Sequence, residues 1–223
     1  MTSDVNAARE ENVLRIDIVS DVVCPWCIVG FKQLEKAIEE TGVSATVNWH
    51  PFELNPDMAP EGENLREHIM KKYGSTAEQS QAARDRLTEL GAGLGFTFRF
   101  AEDSRMLNTF KAHQLIHWAG PQGKEHALKM ALFEAYFRDR RDVSDSNVLA
   151  DVAAAIGLDR EEALAVLEDG RYAEVVRQEE LFWTQNGIHG VPAVIFDRQH
   201  LVSGAQGVEN YSAILRQLVK EAA

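Results

Sequence analysis

Cys24 and Cys27 are the only cysteines in 223 residues, and they stand as Cys24-Pro25-Trp26-Cys27. Two thiols at this spacing can exchange disulfides: one attacks, and the other resolves the mixed disulfide that forms. The flanking pattern predicts that Cys24 is a helix N-cap and Pro25 the first helical residue, where the missing N–H of proline costs nothing. A sulfur placed there faces unpaired backbone N–H groups and the positive end of the helix dipole, and both favour thiolate over thiol. Cys27 instead joins Phe31, Leu34 and Ile38 on one apolar helical stripe, which predicts a buried, less reactive partner for an exposed Cys24.

Half a zinc site and two small core residues are the competing readings. Zinc needs two more ligands. The seven histidines all lie far from the pair in sequence. His113 and His117 share a helix face, but Phe110 and Trp118 flank them and no glutamate completes an H-E-x-x-H arrangement. Zinc therefore ranks below redox chemistry. The core-residue reading ranks lower still, because Pro25 fits a helix start so well.

Other residues qualify the site. In Gly190-Val191-Pro192, proline stands directly before a strand pattern, a position open to it in sheets. A cis bond there would bring the Val191 backbone beside the cysteines to receive an extended substrate, whereas a plain trans proline would merely open the strand. Asp21 is either a proton acceptor near the pair or a loop cap. Trp26, between the cysteines, is expected at the surface, where its ring could contact a substrate chain. His189 either approaches the thiolate or sits in an exposed loop. Trp49, Trp118 and Trp183 read as core or lobe-packing residues.

The positioning elements follow from apolar periodicity. Residues 13–19 are nearly continuous in apolarity, as in a central strand, and residues 45–50 read as a second strand. With the helix between them, ended at Thr41-Gly42, they form a βαβ unit with parallel strands. Between Asn64 and Asn186 no strand is evident. Helical patterns cover roughly 64–73, 76–90, 106–119, 123–138, 146–156, 160–168 and 172–186, the sixth opened by a cap at Asp159 with Glu162 three positions on. Gly91-Ala92-Gly93-Leu94-Gly95 follows a helix and lacks the G-x-G-x-x-G order, so it reads as a helix exit rather than a nucleotide loop. Ala193–Phe196 and Leu201–Ser203 form a hairpin, and Val208, Tyr211, Ile214, Leu215, Leu218 and Val219 mark a last helix. The expected fold is α/β, βαβ … ββα with a large all-helical insertion. Residues 12–55 plus 187–223 form one domain and residues 56–186 the inserted one.

Composition narrows the partners. With 23 basic and 35 acidic residues the net charge is −12, which disfavours nucleic acid and anionic membranes. The basic run Arg138-Asp139-Arg140-Arg141 reads as a solvated helix end. No apolar run reaches the ~18 residues of a membrane helix. The opening Met1–Asn12 is polar and lacks the apolar stretch of a secretory signal. The expectation is a cytoplasmic protein, in a compartment where a cysteine pair is more often redox-active than structural.

Asp17–Cys27, His50–Pro56, Asn108–His113, Gly190-Val191-Pro192 and Val202–Gln206 together resemble the FrnE-like branch of the DsbA family, a group with the thioredoxin-like fold. The resemblance runs from about residue 13 to the C-terminus. It implies a dithiol–disulfide oxidoreductase or isomerase with Cys24 as nucleophile, Cys27 as resolving thiol and Pro192 as cis-proline. It also implies that Trp26, Val191, Asn108 and His113 meet substrate, although His113 and Asn108 equally suit satisfied polar positions between helices. Some relatives carry further cysteines, and this chain has none. The expected partner is a protein or small-molecule thiol or disulfide, with no bound cofactor and with glutathione as a possible reductant. Two alternatives stand beside this one. A glutathione-dependent isomerase or transferase of the kappa-like branch would usually carry serine in place of Cys24, and a non-catalytic thioredoxin-fold binding module would have two ordinary thiols.

Overall fold

The computed structural model describes residues 13–221. The polar Met1–Asn12, and with it the secretory-signal expectation, lies outside the described residues, as do residues 222–223. Strand β1 (Leu14–Ser20) is buried along almost its whole length, as its continuous apolarity requires. It pairs in parallel with β2 (Ala45–Pro51) and antiparallel with β5 (Ala193–Phe196), and β5 pairs with β6 (His200–Ser203). The sheet order is β2-β1-β5-β6, so the two ends of the chain meet in one sheet.

Alternation sorts the strand residues onto two faces. Ile16, Ile18, Val194 and Phe196 join the main core with Cys27 and Leu34 of α1 (Pro25–Thr41) and Tyr211 and Leu215 of α9 (Val208–Glu221). Val19, Ala193 and Ile195 join a smaller cluster with Ile188. Helix α1 stops where Gly42 adopts a left-handed φ of 66°, and its N–H bonds the Ile38 carbonyl.

The insertion holds β3 (Glu63–Asn64), α2 (Leu65–Tyr73), α3 (Ala77–Gly93), β4 (Arg105–Met106), α4 (Phe110–Ala119), α5 (Glu125–Phe133), α6 (Ser146–Ala155), α7 (Arg160–Asp169) and α8 (Ala173–Gln185). Its apolar residues, Leu115, Leu128 and Phe133 among them, belong to the same hydrophobic cluster as Ile16 and Cys27. Asp159 caps α7 through the Glu162 N–H at 2.8 Å, as expected.

Three expectations are corrected. The insertion does contain strand pairing, since Glu63 and Asn64 face Met106 and Arg105. A two-residue ladder is too short to show alternation in sequence. Helix α4 begins at Phe110 rather than 106, because Met106 is in that ladder and the Asn108 side chain accepts the Phe110 N–H at 3.0 Å. The pattern over 123–138 breaks at Phe133, where Glu134–Arg138 widen into a π turn closed by the Asp139 N–H on the Glu134 carbonyl. Both segments keep apolar residues inward, so periodicity alone does not distinguish them. The run Gly91–Gly95 closes α3.

Candidate active site

Cys24 occupies the N-cap of α1 with extended backbone (φ −89°, ψ 111°), and Pro25 follows inside the first turn. The side chain of Cys24 makes no capping bond, so the sulfur stays available. Both thiols are free. The tight turn is set by the Cys24 N–H on the Asp21 carbonyl and the Cys27 N–H on the Cys24 carbonyl, at 3.2 and 3.1 Å.

Cys24 is only 4% exposed, which corrects the expectation of an exposed nucleophile. Its thiol donates to the Val191 carbonyl at 3.8 Å, and the residue lines a cavity of about 400 Å³ instead of open surface. The covering groups come from segments that the local motif does not contain: the Val191 loop and the helices of the insertion. The Val191–Pro192 bond is cis. Trp26 stands at the surface with 38% exposure.

Pro192 packs on α1 where that helix carries Gly30. A Cβ at residue 30 would lie 3.2 Å from Pro192 Cγ and 3.5 Å from Ala205 Cα. The missing side chain thus allows the loop bearing Val191 to approach the helix bearing the cysteines.

Cys27 is fully buried. Burial pushes its thiol well above the ordinary range, with Cys24 adding to the rise and the charge of Lys129 opposing it. Lys129 of α5 is itself buried, between the rings of Trp49 and Phe133 at 5.4 and 5.2 Å, and its Nζ donates to the Ser20 carbonyl at 3.3 Å. Desolvation brings its pKa down to about 8, against the pull of Cys27 and Asp21.

Asp21 is buried on the other side of this group and accepts the Leu54 N–H at 2.8 Å. His113 Nε2 lies 3.3 Å from its second oxygen. Burial pushes the Asp21 carboxyl up, but His113, the Leu54 N–H and Lys129 more than offset that and hold it below its usual value. Next to Leu54, buried Glu53 is paired with Arg177, which also reaches Glu180 at 2.8 Å and covers the Phe110 ring. Burial and the like charge of Glu180 push Glu53 up to about 8.

The structure brings together Cys24, Cys27, Trp26, Val191 and Pro192. Asn108 and His113 are not among the residues lining the cavity beside Cys24. Asn108 donates to the Met58 carbonyl and caps the start of α4, and His113 faces Asp21. His117, its neighbour in the rejected zinc reading, lies 3.6 Å from Glu179. His189 is exposed. Trp49 and Trp118 are in the main core, and Trp183 packs on the smaller cluster. Lys129 and Glu53 escaped the sequence reading. The available signal for Lys129 was its register, since it shares a stripe with Phe133 while Leu128 and Leu132 flank that stripe.

Residues 15–216 match the family model of the DsbA-like thioredoxin domain. The solved structure of a probable DsbA oxidoreductase from Streptomyces coelicolor is 38% identical, with a TM-score of 0.86 over 93% of this chain and 91% of that one. An uncharacterized Bacillus subtilis protein, YwbO, is 30% identical over 165 residues, which is 74% of this chain and 77% of YwbO. The cytosolic disulfide reductase DsbM from Pseudomonas aeruginosa, solved with glutathione, shares the fold at 16% identity, with a TM-score of 0.63 over 92% and 99% of the two chains.

Proposed function

Because the chain belongs to the DsbA-like thioredoxin-domain family, we propose that it is a cytoplasmic thiol–disulfide oxidoreductase or isomerase of the FrnE-like branch, working through Cys24 and Cys27 without a bound cofactor. The observation that carries this reading is the asymmetry of the pair: Cys24 at a helix start facing a cavity, Cys27 fully buried with its thiol pushed up.

In the reducing direction the Cys24 thiolate attacks one sulfur of a substrate disulfide. A Cys24–substrate bond forms, and the other half leaves as a thiolate. Trp26 and the Val191 backbone flank the sulfur under attack and orient the bound partner. Cys27 then loses its proton to Lys129, whose amine is neutral in a large fraction of molecules near pH 8. The Cys27 thiolate attacks Cys24 Sγ, the internal disulfide closes, and the second substrate half leaves. Two electrons have passed from the protein dithiol to the substrate. Two molecules of glutathione restore the dithiol and leave as glutathione disulfide. Isomerisation uses the same mixed disulfide, released by a different substrate thiol before Cys27 attacks.

The test is disulfide reduction by single variants. Cys24→Ser should reduce insulin no faster than buffer, and Cys27→Ser should accumulate a mixed disulfide through Cys24. Trapping through Cys27 in Cys24→Ser protein would reverse the roles, and full activity in either variant would end the proposal.

A further inference from the structure

The cavity in front of Cys24 has a composition that thiol exchange alone does not require. Its volume, about 400 Å³, is that of a small-molecule site. Cys24, Trp26 and Val191 border one part of it, and Leu65, Ile69, Leu87, Phe100 and Met106 supply apolar wall from the insertion. Among the described residues none of the lining groups is an aspartate or glutamate, in a chain with 35 of them.

Arg84 of α3 lines this cavity and is only 8% exposed. Among the described residues its guanidinium has no carboxylate within ion-pair distance and makes no hydrogen bond. It lies over the Phe100 ring, 5.8 Å from its centroid. Burial, and then the charge of Arg66, pull its pKa below the usual arginine value. A largely buried cation with no paired anion is costly to keep for folding alone. Ser75, which lines the same cavity just before α3, has a buried Oγ with no partner. An unpaired guanidinium and an unpaired hydroxyl therefore border one apolar space that reaches the nucleophile.

We infer that Arg84 is a specificity residue and that the substrate is a small apolar, aromatic disulfide or thiol carrying a carboxylate, which Arg84 receives with help from Ser75. This rests on the thiol–disulfide reading above. The planar fork of arginine suits a carboxylate, and the predominantly apolar wall strengthens the pairing. With a symmetrical aryl disulfide, Cys24 takes one half and the other leaves as aryl thiolate. Closure of Cys24–Cys27 then releases the second, so one protein dithiol is oxidised for each disulfide reduced.

Pre-reduced protein in single turnover separates the possibilities. The probes are dithiobis(nitrobenzoate), a carboxylated aryl disulfide, and dithiodipyridine, its neutral counterpart. Arg84→Gln should raise the half-saturating concentration of the carboxylated probe about tenfold, the scale of a lost charge-assisted contact, while the neutral probe changes less than about twofold. Arg84→Lys should recover part of the loss. Equal effects on both probes, or none on either, would overturn the inference and leave the oxidoreductase reading standing. A native protein that reduces neither probe nor insulin would overturn that reading instead. In that event protection of Cys24 from iodoacetamide by naphthoate, lost in Arg84→Gln, still decides whether the carboxylate site exists. Arg84→Met should melt at or above the native temperature. A lower melting temperature would make Arg84 a structural residue and overturn its assignment.

Discussion

At the start of α1 the backbone governs the chemistry. The N-cap conformation of Cys24, the turn from Asp21 to Cys27 and the Val191 carbonyl are all main-chain features, held by the sheet and by close contact with α1. In the insertion, side chains from separate helices do a different job. Lys129 of α5 acts on Cys27 through its charge, and Arg84 of α3 lines the space in front of Cys24. The first region decides that a disulfide can be exchanged. On the proposals made above, the second sets where the proton goes and which molecule fits. Two properties placed on different segments can be altered separately, and this separation is open to experiment.

The largest effect belongs to the first region: Cys24→Ser should leave insulin reduction at background, and Cys27→Ser should stall at the mixed disulfide. Lys129→Met comes next. It should slow resolution, but not the first attack, by about 10²-fold, the lower end of general-base contributions. In the native protein the resolution rate should rise as pH passes through about 8, where Lys129 loses its proton. The variant should lack that inflection. Quenched-flow trapping of the mixed disulfide reads both steps, and slowing of the first attack by Lys129→Met would dissolve the division of labour between regions.

A smaller effect tests the ion cluster that ties Glu53 to Arg177 and Glu180 of the insertion. Glu53 has an ordinary value of 4.5 and a folded value of about 8. Between these pH values the native state keeps a proton that the unfolded chain has released. This contribution is present in full below about 4.5 and is lost as pH rises through about 8, so it makes stability fall with rising pH. Glu53→Gln should flatten the slope of denaturation free energy against pH by up to one proton in that window, and an unchanged slope would refute the assignment. Smallest is Trp26→Ala, expected to raise KM for an insulin-type substrate by roughly threefold, as for loss of one aromatic contact, with kcat intact.

The first region was legible because its signals are short. Cys24 to Cys27, the proline inside the helix start and the stripe through Phe31, Leu34 and Ile38 all sit within a few turns of one helix. Val191-Pro192 was legible as a strand opening, and its placement beside Cys24 required the sheet order. The insertion was legible as helices and little more. Lys129 looks like any lysine of an amphipathic helix until α5 is packed against β2. Arg84 shares a stripe of α3 with buried Ser80, Leu87 and Gly91, but an arginine there reads as the solvated edge of the stripe until Phe100 and the π turn approach. Burial of Cys24 is likewise a tertiary result, since both covering segments are remote in sequence.

Gly30 has a consequence for anyone who would make this protein sturdier. Glycine inside a helix costs roughly 0.5–1 kcal/mol relative to alanine, so Gly30 looks like an obvious position to improve. The ring of Pro192 stands 3.2 Å from where the new methyl would go, closer than comfortable packing, with the Ala205 backbone behind it. A methyl there asks the Pro192 ring to give by a few tenths of an ångström, on the loop whose carbonyl meets Cys24. Helix propensity and site geometry therefore meet at this single position.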